Sequence, residues 1–165
     1  MLFRSVLEIR ETIDYLSGRF RDPRLHEVVI QLCALLLVQS GAFETKEPAA
    51  ARLQEALDSG EAQRRFDAMV EQLGGPRHFC DNAEQYLESA SAIAEVHAGH
   101  EGYIAQVDTR SLGLAVVALG GGRTRLDDSI DLRVGLDKIA RIGTKVSKGD
   151  LMCRIHARKI GRAHV

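Results

Sequence analysis

The sequence of 165 residues contains no tryptophan, and aromatic residues make up only 5% of it. Because single-stranded nucleic acids bind largely by stacking bases on exposed aromatic rings, this scarcity argues against such a binding platform. The formal net charge of −1 likewise gives no electrostatic reason to expect nucleic acid or an anionic membrane as a partner. We therefore predict a protein that binds neither.

Cysteine and long apolar runs are also scarce. Cys33, Cys80 and Cys153 are widely spaced and form no CxxC pair, so zinc binding and dithiol redox chemistry are poorly supported. A reduced, cytoplasmic setting fits best. Cys33 and Cys153 lie within apolar patterns, which predicts buried positions. The longest apolar run, Leu32–Val38, is far shorter than the ~20 residues that span a bilayer, and the N-terminus has no signal-peptide core.

The first half of the chain shows the periodicity of helices. Hydrophobic residues make up 45% of the sequence, as in a globular protein with a real core. Apolar residues recur at helical spacing in four segments: Val6–Leu16, the stretch from Pro23 to Ser40-Gly41, Glu47–Leu57 and Glu61–Leu73. In the second segment the apolar face between Leu25 and Leu37 is wide, which predicts a helix buried on several sides.

The character of the chain changes near residue 90. Short segments with strand-like composition alternate with glycine turns: Ala92–His97, Gly102–Val107, Gly135–Ile142 and Val146–His156. Leu112–Leu119 is ambiguous, because its valines favour a strand and its alanines a helix. Helices followed by a small β-rich module predict the α+β fold class.

Three blocks of sequence resemble the thymidine phosphorylase and pyrimidine nucleoside phosphorylase family. They are Asp108–Gly113 (DTRSLG), Gly120–Arg123 (GGGR) and Val146–Ala157. Upstream, Leu7–Leu25 is similar to the segment that leads into the C-terminal half of that family. The resemblance implies that residues 6–90 are the end of the family's α/β domain and residues 91–158 its C-terminal domain. It also favours a helix at Leu112–Leu119.

Both ends of the chain match translated sequencing adapters. Met1–Ser5 is what GTG CTC TTC CGA TCT encodes when GTG is the start codon, and Ile160–Val165 is what ATC GGA AGA GCA CAC GTC encodes. We therefore predict that residues 1–5 and 159–165 are adapter-derived and carry no biological meaning. The alternative is that both peptides are native.

The resemblance implies an enzyme that moves the deoxyribosyl group of a pyrimidine nucleoside onto inorganic phosphate. Free base and deoxyribose 1-phosphate are its products, and the family's members are cytoplasmic homodimers without an organic cofactor. The residues that hold base and phosphate in the family precede the matching segment, and none of them maps onto this chain. We therefore expect a fragment of a pentosyltransferase with no catalytic or substrate-binding residue, inactive by itself.

One metal ligand follows from the resemblance. In relatives, a glutamate on the helix after a GNALE-type motif binds a potassium ion together with backbone carbonyls just upstream. The run Leu7–Glu11 (LEIRE) aligns with that segment and puts Glu11 at the ligand position. Carboxylate oxygen is a suitable donor for a hard cation. The alternative is an ordinary solvent-facing glutamate in the first turn, favoured by the helix dipole.

The other polar motifs allow structural and functional interpretations. Gly120–Arg123 has backbone N–H groups and an arginine that suit an anion, but it lacks the ending of a phosphate loop, so a tight turn is the simpler interpretation. Asp127, Asp128 and Asp131 form an acidic cluster that suits a cation or a solvated loop. Five histidines show no metal-binding spacing and favour surface or packing roles: His26, His78, His97, His100 and His156.

A non-enzymatic carrier is the rival function. The glycine, valine and leucine spacing of Gly143–Leu151 is similar to that of biotinyl and lipoyl carrier domains, which modify a lysine at a hairpin tip. Lys138 is the candidate lysine, but the methionine neighbours of the carrier motif are absent. A shared β-hairpin fold explains the likeness without carrier function.

Overall fold

The computed structural model describes residues 5–159, which form two compact units. One unit is Arg10–Tyr86; the other comprises the described residues up to Ile9 and those from Leu87 onward. The first unit is helical and the second contains two small antiparallel sheets, so the predicted α+β class is confirmed. Apart from Ser5 and Lys159, the predicted adapter-derived residues lie outside the described part of the chain. The predicted family domains, 6–90 and 91–158, stay a prediction.

The described residues form six α-helices and five strands, together with a short 3-10 helix (Ala83–Gln85) and a π-helical turn (Val117–Gly121). The helices are α1 (Val6–Ser17), α2 (Pro23–Gln39), α3 (Lys46–Asp58), α4 (Glu61–Gln72), α5 (Phe79–Asn82) and α6 (Thr109–Val116). The strands are β1 (Ala92–His97), β2 (Gly102–Tyr103), β3 (Gly135–Asp137), β4 (Lys145–Val146) and β5 (Leu151–Ala157). None of the described helices is long and apolar enough to cross a membrane.

The helices of the first half begin where local capping chemistry favours a start. The Ser5 hydroxyl accepts a hydrogen bond from the N–H of Glu8 at 3.2 Å, as an N-cap side chain does. Asp22 accepts from the N–H groups of Arg24 and Leu25 at 3.0 and 3.1 Å, and Pro23 fills the first position of α2. The four helices predicted here are confirmed, with small differences at their ends. The short α5 was not predicted.

Arg21 connects two helices of the helical unit, α1 and α3. Its guanidinium donates to the backbone carbonyls of Tyr15 and Leu57 at 3.0 and 3.1 Å and to the carboxylate of Asp58 at 2.7 Å. The hydrogen bond from Arg21 is the main cause that lowers the pKa of Asp58. Both carbonyls lie near helix ends and also accept from the backbone N–H groups of Gly18 and Gly60, so Arg21 adds a side-chain donor to acceptors at the two helix ends.

The expectation that α2 is buried on several sides is wrong for this chain. Ala34 is the residue of α2 that is fully buried, and the helix packs against α3. Large aliphatic side chains on α2 remain substantially exposed to solvent: Val28, Leu32, Leu35 and Leu36. Helical periodicity fixes which residues share a face, but it does not supply the surface that would cover them.

The second unit carries its strands in two antiparallel sheets. The larger has the order β1-β5-β3, and the smaller pairs β2 with β4. In the larger sheet Arg154 of β5 lies opposite Glu95 of β1 on one side and Asp137 of β3 on the other. β1 was predicted with its observed limits. The pairing of β1 with β5, far apart in sequence, brings polar residues of three strands side by side.

Three predicted strands are shorter than expected. Gly102–Val107 is a strand only at its first two residues, and Gly135–Ile142 ends at Asp137 because Lys138 takes a left-handed conformation with φ of 50°. Val146–His156 is interrupted by a turn in which Gly149 has φ of 93°. Positive φ values break the extended backbone that a strand requires.

The ambiguous segment Leu112–Leu119 is helical, as the resemblance implied. α6 starts after Asp108, whose carboxylate accepts from the N–H of Ser111 at 3.0 Å and from its hydroxyl at 2.7 Å. A π-helical turn, Val117–Gly121, follows directly and leads into the glycine run. The helix therefore begins earlier than predicted, because the aspartate cap decides its start.

Candidate functional site

The glycine run after α6 is a tightly packed turn. Gly120 has φ of 95°, and its carbonyl accepts from the N–H of Asp131 at 2.9 Å. A Cβ atom on Gly121 would lie 2.8 Å from a methyl group of Val116, and one on Gly122 would lie 2.7 Å from a methyl group of Val117. Real Cβ contacts are longer, so these positions require glycine for structural reasons. The contacts support the simpler interpretation of the motif; a substrate-facing role for Arg123 stays a hypothesis.

Asp131 anchors this turn from a buried position. It is 5% exposed, and its carboxylate accepts from the backbone N–H of Arg133 at 3.0 Å and from the guanidinium at 2.9 and 3.2 Å. The guanidinium of Arg158, just beyond β5, also donates to it. Hydrogen bonds from Arg133 hold the pKa of Asp131 far below its usual range. We name Asp131, Arg133 and Arg158 the aspartate clasp.

The carboxylates of the predicted acidic cluster, Asp127, Asp128 and Asp131, do not point to a common site. Asp128 accepts from the hydroxyl and N–H of Thr124 at 2.7 and 3.0 Å and from the N–H of Arg125 at 2.8 Å, which lowers the pKa of Asp128. Asp131 binds the two arginines of the clasp, whereas Asp127 is exposed. The solvated-loop interpretation is therefore wrong for Asp131. Within residues 5–159 no group of three or more His, Cys, Asp or Glu side chains is placed to hold a metal ion.

Glu11 lies in the second turn of α1 and is exposed. The helix starts at Val6, so Glu11 is not the first-turn glutamate of the alternative interpretation. Among the residues that the structure describes, no group of three or more His, Cys, Asp or Glu side chains is placed to hold a metal ion with Glu11. Its assignment as a potassium ligand stays a prediction, because the expected carbonyl ligands lie upstream of this helix.

The histidines are dispersed and three of them occupy local structural positions. His26 shares a hydrogen bond with the Tyr15 hydroxyl at 2.9 Å, and His97 contacts the carbonyl of Gly149 through Nδ1 at 3.0 Å. His156 is buried on β5. These positions agree with the packing role favoured by their spacing.

A polar row across the larger sheet was missed from the sequence. Arg154 forms an ion pair with Glu95 at 3.2 Å and lies 4.0 Å from the Asp137 carboxylate, which approaches His156 Nε2 at 3.3 Å. Arg154 and His156 alternate along β5 as neighbours on one face. That alternation within an otherwise apolar strand was the available signal. Its partners on β1 and β3 come from strand pairing, which the sequence did not reveal.

The cysteines differ from the prediction. All three are free, and Cys80 is the buried one, while Cys33 and Cys153 are half-buried. Burial, followed by the neighbouring Asp67, raises the pKa of the Cys80 thiol to about 12. Asp67 also accepts from the N–H of Cys80 at 2.9 Å. A protonated thiol of this kind is a poor nucleophile, which excludes Cys80 as a reactive group.

Lys138, the candidate carrier lysine, follows β3 and is exposed. The strand that precedes it, β3, pairs with β5, whereas the next strand in sequence, β4, pairs with β2. Lys138 therefore lies in a connection between two sheets rather than at the tip of a hairpin formed by consecutive strands.

Comparison with known proteins gives consistent matches. The domain family described as "Pyrimidine nucleoside phosphorylase C-terminal domain" matches residues 103–164. Over 154 residues, or 93% of the chain, the sequence is 40% identical to the thymidine phosphorylase of Colwellia psychrerythraea. It is 47% identical over the same length to the thymidine phosphorylases of Burkholderia orbicola and Burkholderia cenocepacia. The chain spans 35% of the length of these relatives.

Proposed function

Because the chain belongs to the thymidine phosphorylase and pyrimidine nucleoside phosphorylase family, we propose that it is part of a thymidine phosphorylase. Such an enzyme transfers the deoxyribosyl group of a pyrimidine nucleoside to phosphate and releases the free base. The observation that carries the proposal is 47% identity over 93% of the chain to proteins of that name. In this proposal the chain contributes the domain that frames the substrates rather than the groups that bind them.

The proposal includes that the chain is inactive by itself. A shallow cavity of about 320 Å3 in the helical unit is lined by charged residues that already pair with each other. Arg10 lies 2.7 Å from Glu84, and Arg19 lies 2.8 Å from Asp14. Because these charged side chains already bind each other, they are poorly suited to bind a phosphate or a base. Substrate positioning, which dominates catalysis in such transfers, would fall to the remaining polypeptide.

A chimera tests the proposed reaction. The part of the Burkholderia cenocepacia relative that lies outside the matched region is fused to residues 6–158 of this chain. We expect the chimera to release thymine from thymidine and phosphate, while the chain alone and the relative's part alone stay at the blank. Thymine release by the chain alone would show that a complete active site lies within it. A folded chimera without turnover would refute the proposed reaction.

We also propose that the full enzyme binds potassium through Glu11, with the other ligands supplied by polypeptide outside this chain. The exposed carboxylate on α1 supports the idea, since it is accessible to such a partner. Homodimeric assembly and a cytoplasmic location belong to the same proposal and rest on family membership.

A further inference from the structure

Helix α2 is apolar almost all the way round. Between Leu25 and Val38 the sequence LHEVVIQLCALLLV contains one carboxylate, Glu27, and no lysine or arginine. A helix with this composition belongs either in a membrane or in the core of a large protein. No described helix is long and apolar enough to cross a membrane. The composition therefore favours a helix surrounded by protein.

One side of α2 nevertheless faces solvent. Four large aliphatic side chains are exposed by a third to two thirds: Val28 by 47%, Leu32 by 57%, Leu35 by 36% and Leu36 by 62%. Their spacing of four, seven and eight residues places them on one face. We call these four residues the α2 stripe. Ala34 is buried and α2 packs against α3, so the helix is covered on only part of its circumference.

The pattern of the α2 stripe distinguishes between two occupants. A seam between two copies of a helix is narrow and is flanked by charged residues that select partner and register. The α2 stripe is widened by Leu36 and has apolar Val29 and Val38 and uncharged Gln31 beside it. Such a wide apolar face is typical of a helix buried in a globular core.

The relatives indicate which polypeptide would cover the α2 stripe. This chain covers 35% of their length, and the domain matched at residues 103–164 is a C-terminal one. Most of the remaining polypeptide therefore precedes the matched region. We propose that the α2 stripe is the docking surface for this preceding polypeptide, which covers it with an apolar face. The proposal rests on family membership and does not depend on the reaction.

The same substitutions in two contexts test this. Leu32→Glu combined with Leu36→Glu is introduced into the chimera described above and into the isolated chain. Leu73→Glu, at a residue 76% exposed in the same helical unit, is the matched control. Thermal unfolding is followed by circular dichroism, and mass by light scattering after size-exclusion chromatography.

We expect opposite effects in the two contexts. In the chimera the double variant should lower the melting temperature by at least about 5 °C, because two carboxylates would be buried without partners. The Leu73→Glu chimera should melt like the parent. In the isolated chain the double variant should stay helical and associate less than the unmodified chain. The milder pair Leu32→Ala and Leu36→Ala should lower the melting temperature of the chimera in the same direction if the glutamates abolish folding.

Three outcomes would overturn the proposal. The first is a double-variant chimera that melts like the Leu73→Glu control. The second is an isolated chain that forms a dimer of defined mass, dissociated by the double variant, while the chimera is unaffected; the occupant would then be a second copy. The third is a chimera with unmodified α2 that shows no cooperative melt. Melting requires no turnover, so a folded but inactive chimera would contradict the reaction and leave the docking surface intact.

Discussion

Replacing Asp131 by Asn tests whether one buried carboxylate holds the glycine turn and the end of β5 together. Asparagine has nearly the same shape but keeps one acceptor oxygen, and its amide group would face the guanidinium of Arg133 or Arg158. A hydrogen bond to a charged group contributes about 1.5–3 kcal/mol. Both arginines are partly exposed, with 35% and 59% of their side chains accessible, and water can replace the lost acceptor. We therefore expect a loss of about 2 kcal/mol, at the lower end of that range.

The loss of stability caused by Asp131→Asn should become smaller at low pH. The folded-state pKa of Asp131 is depressed, whereas the pKa of an aspartate in an unfolded chain is about 3.9. A carboxylate with a depressed pKa contributes its full stabilisation when the pH is above its pKa in the unfolded state. That contribution is lost as the pH falls toward its pKa in the folded state. The Asp131→Asn variant has no titrating group at this position. The difference in unfolding free energy between the two proteins should therefore be full at neutral pH and shrink below about pH 4.

Urea unfolding followed by circular dichroism measures this difference, with Asp127→Asn as the control because Asp127 is an exposed neighbour. Hydrogen exchange provides a second readout, since amides around Gly120 should exchange faster in the Asp131 variant alone. The reasoning fails if both variants unfold at the same urea concentration. It also fails if the gap to the unmodified protein is unchanged between pH 7 and pH 3.

Three further predictions address the turn, a thiol and the metal. Gly121→Ala should destabilise the chain by about 1–3 kcal/mol, because the added methyl group would overpack the turn. Gly113→Ala, in open space on α6, is the control and should stabilise the chain by up to about 1 kcal/mol. Equal urea midpoints for the two variants would contradict the packing argument. The Cys80 thiol, with its pKa raised to about 12, should react with a disulfide reagent more slowly than the other two cysteines until the protein unfolds; equal rates in the native state would contradict its burial. Glu11→Gln in the chimera should weaken potassium activation and lower the melting temperature by a few degrees at saturating potassium; an unchanged potassium titration would leave Glu11 an ordinary surface glutamate.

Local sequence signals predicted the helices of the first half because their causes are local. The apolar spacing and Pro23, from which these helices were predicted, act within one or two turns of chain. The caps at Ser5 and Asp22, which the structure adds, are equally local. The resemblance predicted the helix at Leu112–Leu119, where composition alone was ambiguous. Each of these features is decided by residues that lie close together in the sequence.

Strand lengths were harder to predict because they depend on partners and on single backbone angles. Lys138 ends β3 with a positive φ that composition does not favour, since lysine rarely adopts it. The ladder that joins β1 to β5 sets which polar side chains meet, and Arg154 gains Glu95 and Asp137 as neighbours only through that register. Periodicity marks a strand but not its partner.

The sequence by itself determined the α+β class, the position of most helices and the family to which the chain belongs. It did so through apolar periodicity and motifs, which depend on short stretches of chain. Only the tertiary structure decided that Asp131 is buried between Arg133 and Arg158 and that the α2 stripe is left uncovered. Both features depend on contacts between distant segments, and burial is a property of what packs against a residue rather than of the residue itself.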